Sequence, residues 1–259
     1  VLLAIDVGNT NIVPGVFDGP RLVHSWRLAT LRERTADEVG IVLTQLFARD
    51  GLDTGAVDAV IVASVVPPVT PTVVMMAERY FGVSPLVVDQ TVDTGMPNRY
   101  DNPAEVGADR IVNGVAAYEE FGRPRKSAVI VVDFGTATTF DAVSAAGEYL
   151  GGVICPGIQI SADALFQRAA RLPRIEVRKP PRVIGRTTVS SMQAGLFFGY
   201  VDMVEGLVSR MRRELGDPAM CVATGGLAEV IAPETSVIEA VSPELTLNGL
   251  RIIWARQRP

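Results

Sequence analysis

The chain has 259 residues, enough for one large or two ordinary domains, and its apolar fraction of 48% supplies a sizeable core. A net charge of −5 argues against a surface devoted to nucleic acid, and no apolar run approaches the ~20 residues of a membrane helix. The opening Val-Leu-Leu-Ala-Ile is cut by Asp6 without a basic leader, so a soluble, cytoplasmic protein with no nucleic-acid and no membrane partner is expected.

Residues 1 to 6, 12 to 17 and 21 to 28 read as three successive strands, with turns at Asn9 to Asn11 and Asp18-Gly19-Pro20. In the third, alternation places His24, the one histidine, on the face of Leu22, Trp26 and Leu28. A core-side histidine fits that position better than a catalytic one, so a general base should be Asp or Glu. A helix is expected near 35 to 50, a strand at 59 to 66, a helix after Pro71 and a strand at Ser84 to Asp89, an alternation that indicates α/β with a parallel component. Glu105 to Phe121 carries apolar residues at helical spacing, and Gly122-Arg-Pro is expected to end that helix. From Ser127 the pattern of strand, turn, strand, turn, strand begins again, followed by a helix-rich stretch, a strand at Met220 to Ala223 and a final helix from about Thr246.

Cys155 and Cys221 lie in apolar segments without metal-ligand spacing and read as free buried thiols. Residues 168 to 186 carry seven basic residues against one Glu, a local basic loop suited to a subunit contact or an anionic ligand. Only two lysines occur, Lys126 and Lys179, and neither stands in a Walker A frame.

The restart is architectural. Asp6 and Asp133 lie 127 residues apart, and each ends the first strand of a meander with Asp-x-Gly followed by hydroxyl or amide side chains. This predicts a duplicated α/β protein, residues 1–122 and 123–259, whose two halves face each other across a cleft. Either turn alone is an ordinary hairpin. Together, Asp6-Val-Gly-Asn-Thr-Asn11 and Asp133-Phe-Gly-Thr-Ala-Thr-Thr139 supply what phosphate recognition needs: bare backbone, hydroxyl and amide donors, and an Asp for a metal held directly or through water. Thr224-Gly225-Gly226 suits either an adenosine ring lying on bare backbone or a plain strand-to-helix loop.

These features resemble the actin, sugar kinase and Hsp70-like ATPase superfamily. More specifically the chain resembles the type III pantothenate kinases, through the two Asp-x-Gly loops, Gly95 to Pro103, Glu105-Val-Gly-Ala-Asp-Arg-Ile-Val-Asn113, Pro156-Gly157, Thr188 to Gly195 and Thr224-Gly225-Gly226. The resemblance spans nearly the whole chain. It implies a duplicated ribonuclease H-like fold with mixed sheets and the ATP-dependent conversion of pantothenate to 4'-phosphopantothenate, first step of coenzyme A biosynthesis. ATP would contact Asp6, Val7, Gly8, Asn9, Thr10, Asn11, Ile12 and Val13, with Thr136, Gly225 and Gly226. Asp109 would be the base that receives the proton of the attacking hydroxyl; without the resemblance it reads first as a helix N-terminal Asp. Tyr100, Gly107, Ala108, Asp109 and Arg110 would contact pantothenate, and Thr188 would close that pocket from the neighbouring subunit of a homodimer.

Neither loop carries a lysine to neutralise phosphate charge. We expect Mg²⁺ near Asp6 to do part of it, and the resemblance implies a monovalent cation, K⁺ or NH₄⁺, at Asp133. Asp141 reads as structural. Pro14 replaces an aliphatic residue and suggests an edge or irregular strand position, and Asn98 replaces a commoner apolar one. The competing reading is a nucleotide-binding regulatory protein of the same fold without kinase turnover.

Overall fold

In the computed structural model, which describes residues 1–216 and 218–257, the apolar opening forms β1 (Leu2–Val7), paired antiparallel with β2 (Asn11–Asp18). β3 (Arg21–Ser25) and the two-residue β4 (Leu28–Ala29) both pair with β2. After α1 (Ala36–Arg49), β5 (Ala59–Ser64) returns parallel to β1; α2 (Thr70–Phe81) and the short β6 (Leu86–Val87), parallel to β5, follow. The order across the sheet is β3-β2-β1-β5-β6. Thr35 caps α1 reciprocally with Glu38, and Gly82 in the left-handed region ends α2, so local sequence starts the first helix and stops the second.

The next helix begins where Asp109 was expected to stand in a first turn. A single turn at Pro103–Glu105 precedes α3 (Ala108–Ala117). Its end is different: a π turn at Tyr118–Gly122 leads into α4 (Arg123–Arg125), which stops at Lys126 with φ +54. Pro124 is tolerated there because it sits at the start of α4, where its missing N–H is not needed.

β7 (Val129–Phe134), β8 (Ala137–Val143) and β9 (Tyr149–Pro156) then repeat the meander; α5 (Ile158–Arg168) and the 28-residue α6 (Thr188–Leu215) follow. β10 (Met220–Gly225) lies parallel to β7; after α7 (Ala228–Ile231), β11 (Ala240–Val241) lies parallel to β10, and α8 (Leu245–Arg256) closes the described chain. Read outward, β9-β8-β7-β10-β11 is the first sheet's topology a second time. β1 and β7 even share one burial pattern, buried throughout except at the penultimate Asp.

Two compact units result, and they are not contiguous stretches of chain. The first comprises Val1–Met96, Asp101–Ala116 and 246–257; the second comprises Pro97–Tyr100 and Ala117–Leu245. In the first, Leu3, Ile5 and Val7 of β1 and Val60 and Val62 of β5 pack on Leu43 and Phe47 of α1 and Val73 and Met76 of α2. α8 takes the opposite face: a Cβ on Gly15 would meet Leu247, and Gly249 lies so close to Val112 of α3 that a Cβ there would stand 2.2 Å from its carbonyl oxygen. By strand alternation Asp6 points to that second face. In the second unit, Ile130, Val132 and Phe134 pack with Phe140, Ile158, Phe197, Val204 and Val208.

His24 shares the face of Trp26 as expected, but is half-exposed; its Nε2 lies 3.1 Å from Asp50, which also accepts from the Trp26 indole at 2.7 Å. Pro14 lies on an interior strand, not an edge, and is buried. It is accommodated because the neighbouring strand breaks opposite it, where β3 ends at Ser25 and β4 begins at Leu28.

Candidate active site

In the first unit, Asp6 is the penultimate residue of β1 and half-buried, beside the buried Val7. The Gly8 amide donates to the Asn11 carbonyl at 2.9 Å, closing a tight turn that leaves Asn9 and Thr10 exposed before Ile12 is buried and Val13 half-buried in β2. Thr30, just past β4, fastens this turn from outside: its hydroxyl donates to the Gly8 carbonyl and its amide to the Thr10 carbonyl. Sequence reasoning missed Thr30, which carries no local signal beyond being a threonine after a strand.

The turn bearing Asp109 lies at the same end of this sheet. The Val65 amide, one residue past β5, donates to the Val7 carbonyl at 3.1 Å, and Gly107 packs against Val65, where a Cβ would stand 3.3 Å from its side chain. That Cβ would also stand 2.6 Å from the Asp109 carboxylate, so glycine at 107 leaves Asp109 room to fold back over the turn. Asp109 accepts from the Arg110 amide at 2.7 Å in the first turn of α3, with Ala108 half-buried and Arg110 buried. The first unit thus brings Asp6 to Val13 and Gly107 to Arg110 to one sheet end.

In the second unit, Asp133 occupies in β7 the place of Asp6 in β1, and Thr136 lies exposed in the turn to β8. Two glycines press against this turn. Gly225, with φ +89, lies where a Cβ would stand 2.5 Å from the Asp133 carboxylate, and Gly157 where one would stand 2.2 Å from the Thr136 carbonyl. Asp133, Thr136, Gly157 and Gly225 are therefore one cluster. Gly226 beyond it is open, with nothing near a would-be Cβ. Gly157 was part of the motif without a role; its role is this close approach. Thr188 is exposed at the first position of α6, behind the capping pair Thr187 and Ser190. Tyr100, half-buried, lies by Tyr149 and Gly151.

Among the described residues no three His, Cys, Asp or Glu side chains group to hold a metal. Neither Asp6 nor Asp133 belongs to a larger group of ligating side chains among the described residues, a donor set that fits cations held mostly by phosphate oxygens and water rather than by a protein cage.

A family model described as type III pantothenate kinase matches residues 2–210. The chain belongs to the type III pantothenate kinase family. Two relatives of that name show the extent of the match: one from Myxococcus xanthus (strain DK1622) is 59% identical over 256 residues, covering 99% of this chain and 98% of the relative, and one from Moorella thermoacetica is 56% identical with 99% of each covered. As a type III pantothenate kinase the chain catalyses ATP-dependent phosphorylation of pantothenate in coenzyme A biosynthesis. Solved structures show the fold alone. A polyphosphate/ATP-glucomannokinase from Arthrobacter sp. strain KM superposes with a TM-score of 0.53 at 17% identity, with 99% of each chain covered. A Campylobacter jejuni protein named for the Baf family of transcriptional activators reaches 0.60 at 16%, with 98% of each covered. The fold is the duplicated ribonuclease H-like one of the sugar kinases and actin-like ATPases.

Proposed function

We propose the following division of labour for the pantothenate kinase reaction. Asp6 to Val13 and the turn at Thr136 bind the phosphates of ATP, and Gly225 with Gly226 gives its adenosine bare backbone. Tyr100, Gly107, Ala108 and Arg110 hold pantothenate, with Thr188 contributed by the neighbouring subunit of a homodimer. Asp109 orients the attacking hydroxyl and receives its proton. Phosphoryl transfer passes through a loose transition state in which the proton leaves late, so a weak carboxylate base suffices.

Asp6 would hold Mg²⁺ through water, and Asp133 a K⁺ or NH₄⁺ ion. When bound, these cations neutralise phosphate charge that neither loop can meet with a lysine. We place the enzyme in the cytoplasm, where pantothenate and ATP meet, and read residues 1–122 and 123–259 as the two copies of the duplication.

The observation that supports this reading most is the common sheet end of the Gly8 turn and the Asp109 turn, joined through the hydrogen bond from Val65 to Val7 and the contact of Gly107 with Val65. The test is Asp109→Asn. It should bind ATP with unchanged affinity in a fluorescence titration while turnover falls at least ~100-fold; near-normal turnover would remove Asp109 from the mechanism.

A further inference from the structure

Asp141 is a fully buried carboxylate in β8 that the reaction as described does not use. Its partners form a short polar chain. The Tyr149 hydroxyl donates to Oδ1 at 2.7 Å and the Thr139 hydroxyl to Oδ2 at 3.1 Å; Tyr149 is itself fully buried. Burying a carboxylate costs free energy, and an apolar pair would pack this hairpin at least as well. What an apolar pair would not do is fix the height and direction of the Tyr149 side chain.

That matters because of what Tyr149 carries. Its carbonyl accepts from the Arg99 amide at 2.8 Å and its amide donates to the Pro97 carbonyl at 2.9 Å, so residues 97–99 pair with the edge of β9 at Tyr149. Arg99 adds an ion pair to Glu148 at 2.6 Å. The Asn98 side chain accepts from the Tyr100 amide at 3.0 Å, which gives this unusual residue a purpose: it fixes the turn into Tyr100. The Tyr100 ring then lies 6.5 Å from the Tyr149 ring and above Gly151, where a Cβ would stand only 3.4 Å away. At its other end the chain reaches Thr139, which pairs in register with Asp133.

We propose that Asp141 and Tyr149 are positioning residues that set the place of Tyr100, and thereby affinity for pantothenate, from the framework of the second phosphate loop. The proposal rests on the reading of Tyr100 as a pantothenate contact. Neither Asp141 nor Tyr149 touches substrate; they act through residues 97–100.

The experiment is a set of KM measurements for both substrates on Tyr149→Phe, Asp141→Asn, Asn98→Ala and Tyr100→Ala, each with a melting temperature. Tyr149→Phe keeps the ring and frees it from Asp141, so KM for pantothenate should rise about tenfold while KM for ATP stays within a factor of about two. Asp141→Asn still offers an acceptor to Tyr149 and a donor to Thr139, so it should behave like the parent; this rescue is what a mere charge effect would not give. Asn98→Ala, a change in a loop, should raise KM for pantothenate severalfold, and it decides the matter if Tyr149→Phe does not fold. An unchanged KM for pantothenate in Tyr149→Phe, or a parallel rise in both KM values, overturns the positioning role. If Tyr100→Ala also leaves pantothenate binding unchanged, the assignment of Tyr100 itself falls and the proposal with it; if Tyr100→Ala weakens binding, only the positioning falls.

Discussion

The Thr30 hydroxyl donates to the Gly8 carbonyl at 2.7 Å, and through this bond a residue 22 positions away holds the turn from Gly8 to Asn11 closed. Thr30→Val keeps the shape and removes the donor. One such bond contributes about 1 kcal/mol, so KM for ATP should rise by up to about fivefold and the melting temperature should fall by about 2–4 °C. An unchanged KM would mean that the Gly8 to Asn11 turn holds itself.

The second loop is fixed by steric closeness instead. A methyl group at Gly157 would stand 2.2 Å from the Thr136 carbonyl and 2.8 Å from that of Gly135, and both contacts are backbone, so neither can swing aside. Gly157→Ala should displace the loop and lower kcat/KM for ATP by more than about tenfold in a protein that still folds. Wild-type kinetics would show that the loop does not contact nucleotide.

The two thiols differ in surroundings. Burial pushes the Cys221 thiol up to about 12, so at pH 8 its thiolate fraction is on the order of 10⁻⁴. Burial also raises Cys155, which remains half-buried and reachable. At pH 8 a thiol reagent should label Cys155 slowly and Cys221 only after denaturation, when both react. Rapid labelling of both in the folded protein would contradict the packing of β10.

The duplication was legible because a strand that ends in Asp-x-Gly is a local pattern, and Asp6 and Asp133 do occupy matching places in two sheets of one topology. The α/β alternation, the extent of α1 and the free state of both cysteines were legible for the same reason, although Cys155, expected to be buried, is only half-buried. What escaped depends on tertiary partners. Nothing in Pro97 to Tyr100 announces that these four residues pack with the second unit while their neighbours on both sides pack with the first. Nor does the sequence of α8 announce that it returns to Gly15 and Val112. The π turn at Tyr118–Gly122 lies in an uninterrupted helical pattern, and Pro124 read as a stop where it is a start. Asp141 read as structural because its partner, Tyr149, faces it only once β8 and β9 are paired.

The kinase assignment and the cation role meet in one measurement: ADP release in a coupled assay with ATP, Mg²⁺ and pantothenate, run in parallel potassium and sodium buffers. ADP release should require pantothenate and be much faster in potassium. Release without pantothenate, or none in either buffer from folded protein, would contradict the kinase assignment, and equal rates in the two buffers would contradict the cation role of Asp133.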